Sequence, residues 1–316
     1  MIVLKDVSKA FGSKKVLKEI SLHVAENENV GLIGLNGAGK TTLLNVIVGA
    51  VKPDDGFVRT NGRENLIKDK KSLRDLVYVS GTKSQLWEEL TVRASLENCI
   101  KMYQIDPQVY KNRLEKLEKI FEIKSFMNIR PENLSLGERM RCELVYALLA
   151  EPKILLLDEV LVGIDVSIKH KVMNFFETYR KENHSTIIFT SNLLTEVEKL
   201  CDRLILIDEG RIIFDGNTER MISEFSPYYR MEVRISDRIP DFEDLPLKKY
   251  SVEADRVMID YDIHKIETPR LLEHLTERCH IEDIRLFEPN LEETIKRIYG
   301  GAHGRYNYGA GNQKIL

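Results

Sequence analysis

The stretch Gly34-Leu-Asn-Gly-Ala-Gly-Lys40-Thr41 follows an apolar run at 30–33. It leads into a segment that keeps Leu43, Leu44, Ile47 and Val48 on one helical face. Glycines at 34, 37 and 39 let the backbone wrap closely, so the N–H groups of Gly34, Leu35, Asn36, Gly37, Ala38 and Gly39 can face phosphate oxygens. Lys40 then supplies a point charge for the outer phosphates. The Thr41 hydroxyl offers a hard oxygen to Mg²⁺, with Thr42 beside it in the first helical turn. The bland alternative is a Gly-rich turn ending in a cation. Strand, loop and helix in this order favour a nucleotide-phosphate site.

Working outward, Ile154-Leu-Leu-Leu-Asp158-Glu159 reads as a buried strand ending in two acids. That arrangement puts Asp158 near a metal and Glu159 near an attacking water, the two placements phosphoryl transfer requires. Alone, it would be a strand running into a solvated acidic loop. Two more compact apolar runs, TIIFT at 186–190 and RLILID at 203–208, alternate with helical stretches. Such alternation predicts a parallel sheet covered on both faces. Residues 88–150 are helical in period, with Leu114, Leu117, Ile120 and Phe121 sharing a face. Turn signals at 216–230 read as a linker. Beyond it the pieces are smaller: strands near 230–235, 257–262 and 281–287, and helices at 268–278 and 290–299. The expected division is 1–218, a small α+β domain at 219–302, and a flexible Gly- and Asn-rich tail at 303–316.

The 316 residues carry a net charge of −3, which gives no reason to expect nucleic acid as a partner. Four scattered cysteines, without a C-x-x-C pair, argue against a disulfide framework or a zinc site and suit a reducing cytosol. No signal peptide and no run of transmembrane length is read, so any membrane role requires another chain.

Leu134-Ser-Leu-Gly-Glu138 separates the classes of nucleotide protein. Ser135 and Glu138 have capping-box spacing, and a helix start is also an anion site, so one cap could serve both purposes. Gly137 is expected to leave room for a phosphate. With this motif between the loop at 34–41 and the acids at 158–159, residues 1 to about 216 resemble the ATP-binding subunits of ABC transporters. The run LSLGERMRCELVYALLAEPKILLLDEVLVGID and the small C-terminal domain resemble the branch that serves export-type, ABC-2 membrane partners. The resemblance implies an α/β P-loop NTPase of the ABC ATPase type, with a mostly parallel core sheet, an antiparallel N-terminal β part and a helical subdomain at about 88–150. It implies ATP and Mg²⁺ as cofactors, with Mg²⁺ held by Thr41 and Asp158 and Glu159 as general base. Phe11 would stack on adenine, its alternative being a core aromatic. Ser135, Gly137 and Glu138 would meet the γ-phosphate bound by the opposite subunit, and Asp165 would couple the two sites. Expected partners are ABC-2-type transmembrane permease subunits and a second copy, or a paralogous ATPase subunit, in a head-to-tail dimer. The expected location is cytoplasmic, on the inner face of the cell membrane.

Three departures from the family pattern stand out. Val160 replaces the usual Pro after the catalytic Glu. Gly81 and Thr82 stand where a switch glutamine is expected; Gln85 is the nearest substitute, or else a polar surface residue beside Trp87, a candidate contact for the membrane subunit. Asn192 replaces the switch histidine. Its amide can donate to a phosphate oxygen but takes up no proton, and it is expected to cap the helix that follows. A soluble ABC ATPase acting on ribosomes or DNA is disfavoured by the single cassette and the absence of a basic stripe.

Overall fold

The structure is a computed structural model. It describes residues 1–64, 74–81, 83–191, 193–226, 228–237, 239–242 and 244–300. The chain divides into two compact units, Met1–Asn217 and Thr218–Leu316.

The first unit holds two sheets. β1 (Ile2–Phe11), β2 (Lys14–Val24) and β4 (Asp55–Thr60) form an antiparallel sheet in the order β2-β1-β4. The second sheet runs β5 (Leu76–Ser80), β6 (Ile154–Asp158), β7 (Thr186–Thr190), β3 (Asn29–Ile33), β8 (Arg203–Asp208), β9 (Arg211–Gly216). Its pairs are parallel except the last, β8–β9. β3, β6 and β7 are buried at every residue, which is why their sequences are continuous runs with no polar alternation. Helix α1 (Lys40–Ile47) sets Leu43, Leu44, Val46 and Ile47 into one core with Ile2, Leu4, Leu156, Ile188 and Ile207. The phosphate-loop helix is thereby anchored on both sheets.

Between β5 and β6 lie α2 (Val92–Tyr103), α3 (Pro107–Phe121) and α4 (Leu136–Leu149). Their starts are set by side chains: Thr91 accepts from Ala94 N, Asp106 from Gln108 N and Val109 N, and Ser135 makes a full capping box with Glu138. α5 (Val166–Asn183) follows β6, where Phe175 meets Phe121 edge-on at 5.4 Å between ring centroids. α6 (Leu194–Leu200) follows β7.

The second unit is α7 (Thr218–Phe225), β10 (Tyr228–Ile235), β11 (Leu247–Glu253), β12 (Arg256–Asp262), α8 (Thr268–Thr276), β13 (Ile281–Phe287) and α9 (Leu291–Gly300). Its antiparallel sheet has the order β11-β12-β10-β13. Met231, Val233, Val257, Ile259 and Tyr261 pack with Leu271 and Leu275 of α8. Two elements differ from the expectation. Residues 218–225 form a helix, not a linker; it is a short amphipathic helix set between the turn signals at 216–217 and 226–227, with Met221 its only buried residue. β11 reads LKKYSVE and has no buried residue, so its pattern carries little strand signal. Among the described residues no helix is long and apolar enough to cross a membrane.

Candidate nucleotide site

The loop at 34–39 is shaped by close backbone approaches. A Cβ on Gly34 would sit 2.4 Å from the carbonyl oxygen of Ile207, so only glycine lets the loop leave β3 against β8. Gly39 stands at the N-cap of α1 with φ 113°, a left-handed conformation that favours glycine. Leu35, Asn36 and Gly37 form the exposed tip, while Ala38 is buried. Lys40 is buried to 6% exposure and its Nζ donates to the carbonyls of Gly34 (2.7 Å) and Leu35 (3.3 Å), holding the loop as a ring. Burial lowers the pKa of this ammonium; the nearby charges of Glu159 and Asp158 oppose that shift.

Asp158 is the meeting point. Its Oδ2 accepts from Thr41 Oγ1 at 2.8 Å and from Tyr78 OH at 3.0 Å, and its Oδ1 accepts from Thr190 Oγ1 at 2.6 Å. Helix α1 and strands β5 and β7 therefore each deliver one hydroxyl to a buried carboxylate at the end of β6. Thr41 and Asp158 present adjacent hard oxygens, a donor pair that suits Mg²⁺ completed by phosphate and water. Tyr78 was not among the sequence candidates; burial, then the charge of Asp158, raises its phenol pKa. Its only sequence signal was an aromatic in the strand paired with ILLLD. Thr190 was legible only as a small polar residue ending a strand.

Glu159 follows with φ 55°. Its N–H donates to both the carbonyl and the Oγ1 of Thr190, at 3.1 Å each. β7 thus fixes the backbone of both acids.

Ser135 and Glu138 bond to each other: Ser135 Oγ donates to Glu138 Oε2 at 2.7 Å and Ser135 N donates to it at 2.8 Å. Those bonds hold the Glu138 carboxyl below its usual range. Gly137 differs from the expectation. A Cβ there would lie 2.0 Å from the carbonyl oxygen of Gly163, so the space beside Gly137 is filled by the loop leading to Asp165. Asp165 is exposed at the N-cap position of α5 without a side-chain cap bond. Phe11 is 52% exposed at the end of β1, so it is no core aromatic; Lys9 Nζ lies 5.5 Å from its ring centroid.

Gln85 is not brought to Asp158 and Glu159. Its Nε2 donates to the carbonyl of Tyr78 on edge strand β5, and its N–H donates to Glu143 Oε2 at 2.9 Å. Glu143 is buried in α4, also accepts from Ser84 Oγ, and so clamps residues 84–85 beside the exposed Trp87. Asn192 and Thr82 lie outside the described residues, as does the stretch 303–316 read as a tail. The cap position of α6 falls at Leu193, whose N–H donates to Ser191 Oγ at 3.0 Å.

Residues 17–162 match the family model described as ABC transporter. The chain is 31% identical over 225 residues to the ABC transporter ATP-binding protein NatA of Bacillus subtilis (strain 168), spanning 70% of this chain and 91% of that one. The chain belongs to the ABC transporter ATP-binding family. It is 26% identical to the linearmycin resistance ATP-binding protein LnrL of the same organism over 312 residues, covering 95% of this ABC chain and 98% of that one. The ATP-binding cassette MJ0796, in a dimeric post-hydrolysis structure bound to ADP and Pi, superposes with a TM-score of 0.61 at 25% identity, over 69% of this chain and 98% of that one. This ABC protein is accordingly a nucleotide-binding ATPase subunit, of a family whose cassettes dimerise and act with transmembrane subunits.

Proposed function

We propose that this chain is the ATP-hydrolysing subunit of an export-type transporter, driving separate ABC-2-type permease chains from the cytoplasmic face of the cell membrane. The observation that carries the hydrolytic reading is the convergence on Asp158, which holds the Thr41 hydroxyl beside a buried carboxylate. In this reading Thr41 and Asp158 would hold Mg²⁺, which would supply positive charge to the phosphates when bound. Lys40 and the N–H groups of 34–42 bind the phosphates, and Phe11, exposed at the end of β1, takes the adenine face. Glu159 orients the water and accepts its proton, on a backbone tied to Thr190. Ser135 and Glu138 meet the γ-phosphate of the opposite subunit, a second copy or a paralogous one. Gly137 seats that motif on the loop carrying Asp165, which couples the two sites. The export assignment rests on likeness to LnrL along nearly the full length, second unit included. Mild-detergent purification of the tagged chain should bring down a pair of polytopic ABC-2-type proteins that raise its ATPase rate. Recovery of a solute-import permease in their place would contradict it.

A second reading, a regulatory or scaffold subunit with weak turnover, is favoured by Asn192 standing where a histidine is usual. Steady-state phosphate release by Asn192→His separates the two. A rise of an order of magnitude or more supports this second reading, since misplacement at such a position costs on the order of a hundredfold; an unchanged rate removes it.

A further inference from the structure

The sheet of the second unit ends on one side in a strand open to solvent. β13 reads Ile281-Glu-Asp-Ile-Arg-Leu-Phe287 and bonds to β10 along one edge; among the described residues no strand pairs with its other edge. Ile284, Leu286 and Phe287 are 39%, 42% and 48% exposed. Ile284 and Leu286 stand opposite Val233 and Met231, both fully buried, so the apolar face of the core runs on past its cover. An edge of this kind is a template for another strand.

The sequence of β13 specifies which strand fits. Side chains alternate between faces, so a two-fold antiparallel pairing must set one residue against its own copy. Centring on Asp283 or on Arg285 would bring like charges together. Centring on Ile284 sets Ile284 against Ile284, Asp283 against Arg285 and Arg285 against Asp283, and it engages all seven residues of the strand. Glu282 is already held by Arg234 at 3.0 Å and would face Leu286. Arg285 Nε and Asp283 Oδ2 lie 3.6 Å apart along the strand with side chains 60% and 50% exposed, so both are free to re-pair across the axis.

We propose that β13 is a self-pairing edge. Through it the second unit joins that of a second copy of this chain, making one continuous sheet and tethering the two copies without nucleotide. The tether is distinct from ATP-driven pairing of the cassettes, so its failure would leave the ATPase reading untouched.

Sedimentation equilibrium of the full chain without nucleotide tests this, on wild type, Asp283→Arg and the double variant Asp283→Arg/Arg285→Asp. The wild type should self-associate. Asp283→Arg turns two opposite-charge pairs into like-charge ones and should weaken association by at least about tenfold. The double variant restores opposite charges and should regain it, while far-UV circular dichroism shows all three folded. A single variant that associates as wild type does, or a double variant no better than the single, overturns the proposal. So does a wild type monomeric without nucleotide; if its β13 variants also lose the membrane chains, the edge belongs to the permease.

Discussion

At Gly137 one hydrogen atom decides how the start of α4 meets the loop between Glu159 and Asp165. A methyl group there has no room, because the opposing atom is a backbone carbonyl and not the end of a flexible side chain. Gly137→Ala should lower stability by roughly 1–3 kcal/mol, as overpacking does. Urea denaturation measures that loss, and a variant as stable as wild type would mean that the loop yields freely. Its ATPase rate should fall too, since Ser135 and Asp165 are displaced relative to each other. The strand, closed loop and helix around Gly34–Thr41 were legible because their signal is local: glycines, a cation and a hydroxyl in a fixed spacing. What Gly137 touches was not legible, because Gly163 is its neighbour only once β6 and α4 are folded. For the same reason the role of Tyr78 is not local in sequence, since its tie to Asp158 depends on β5 lying beside β6.

At the scale of elements, α4 carries a buried acid that locks the segment after β5. Burial raises the Glu143 pKa, opposed by bonds from Ser84 and the backbone at 85–86. The sign follows from linkage. The stabilisation tied to this raised value is complete below the ordinary glutamate range and is lost as pH rises through the folded value, because the unfolded chain ionises first. Wild type should therefore lose stability relative to Glu143→Gln as pH climbs from the glutamate range upward. Denaturant midpoints of the two proteins across that window check the slope, and parallel curves would contradict it. β6, β7 and β8 were readable to their ends from sequence, because a strand buried on both faces must be an unbroken apolar run. β11 was not, because a strand that buries nothing leaves little pattern, and α7 was not, because its 8 residues lie between turn signals on both sides.

The whole molecule is two units with separate cores, one drawing on residues from Ile2 to Ile207 and the other on residues from Met231 to Cys279. A chain ending at Asn217 should still fold cooperatively and bind ATP, as thermal melts with and without nucleotide would report. Loss of cooperative unfolding would show that the first unit depends on the second. The division of labour proposed here puts hydrolysis in the first unit and a nucleotide-independent tether in the second. Strand–helix alternation pointed to the α/β first unit, and shorter elements beyond the turn signals to a small α+β addition, whereas the free edge of β13 follows only from the strand order. On the proposed reading, Asp158 and Glu159 at the end of β6 serve ATP hydrolysis, with Glu159 activating the water. Steady-state phosphate release by wild type and Glu159→Gln tests it most directly. The wild-type rate should be at least about a hundredfold above that of the variant, the size of a general-base contribution. Equal rates in the two proteins would contradict it.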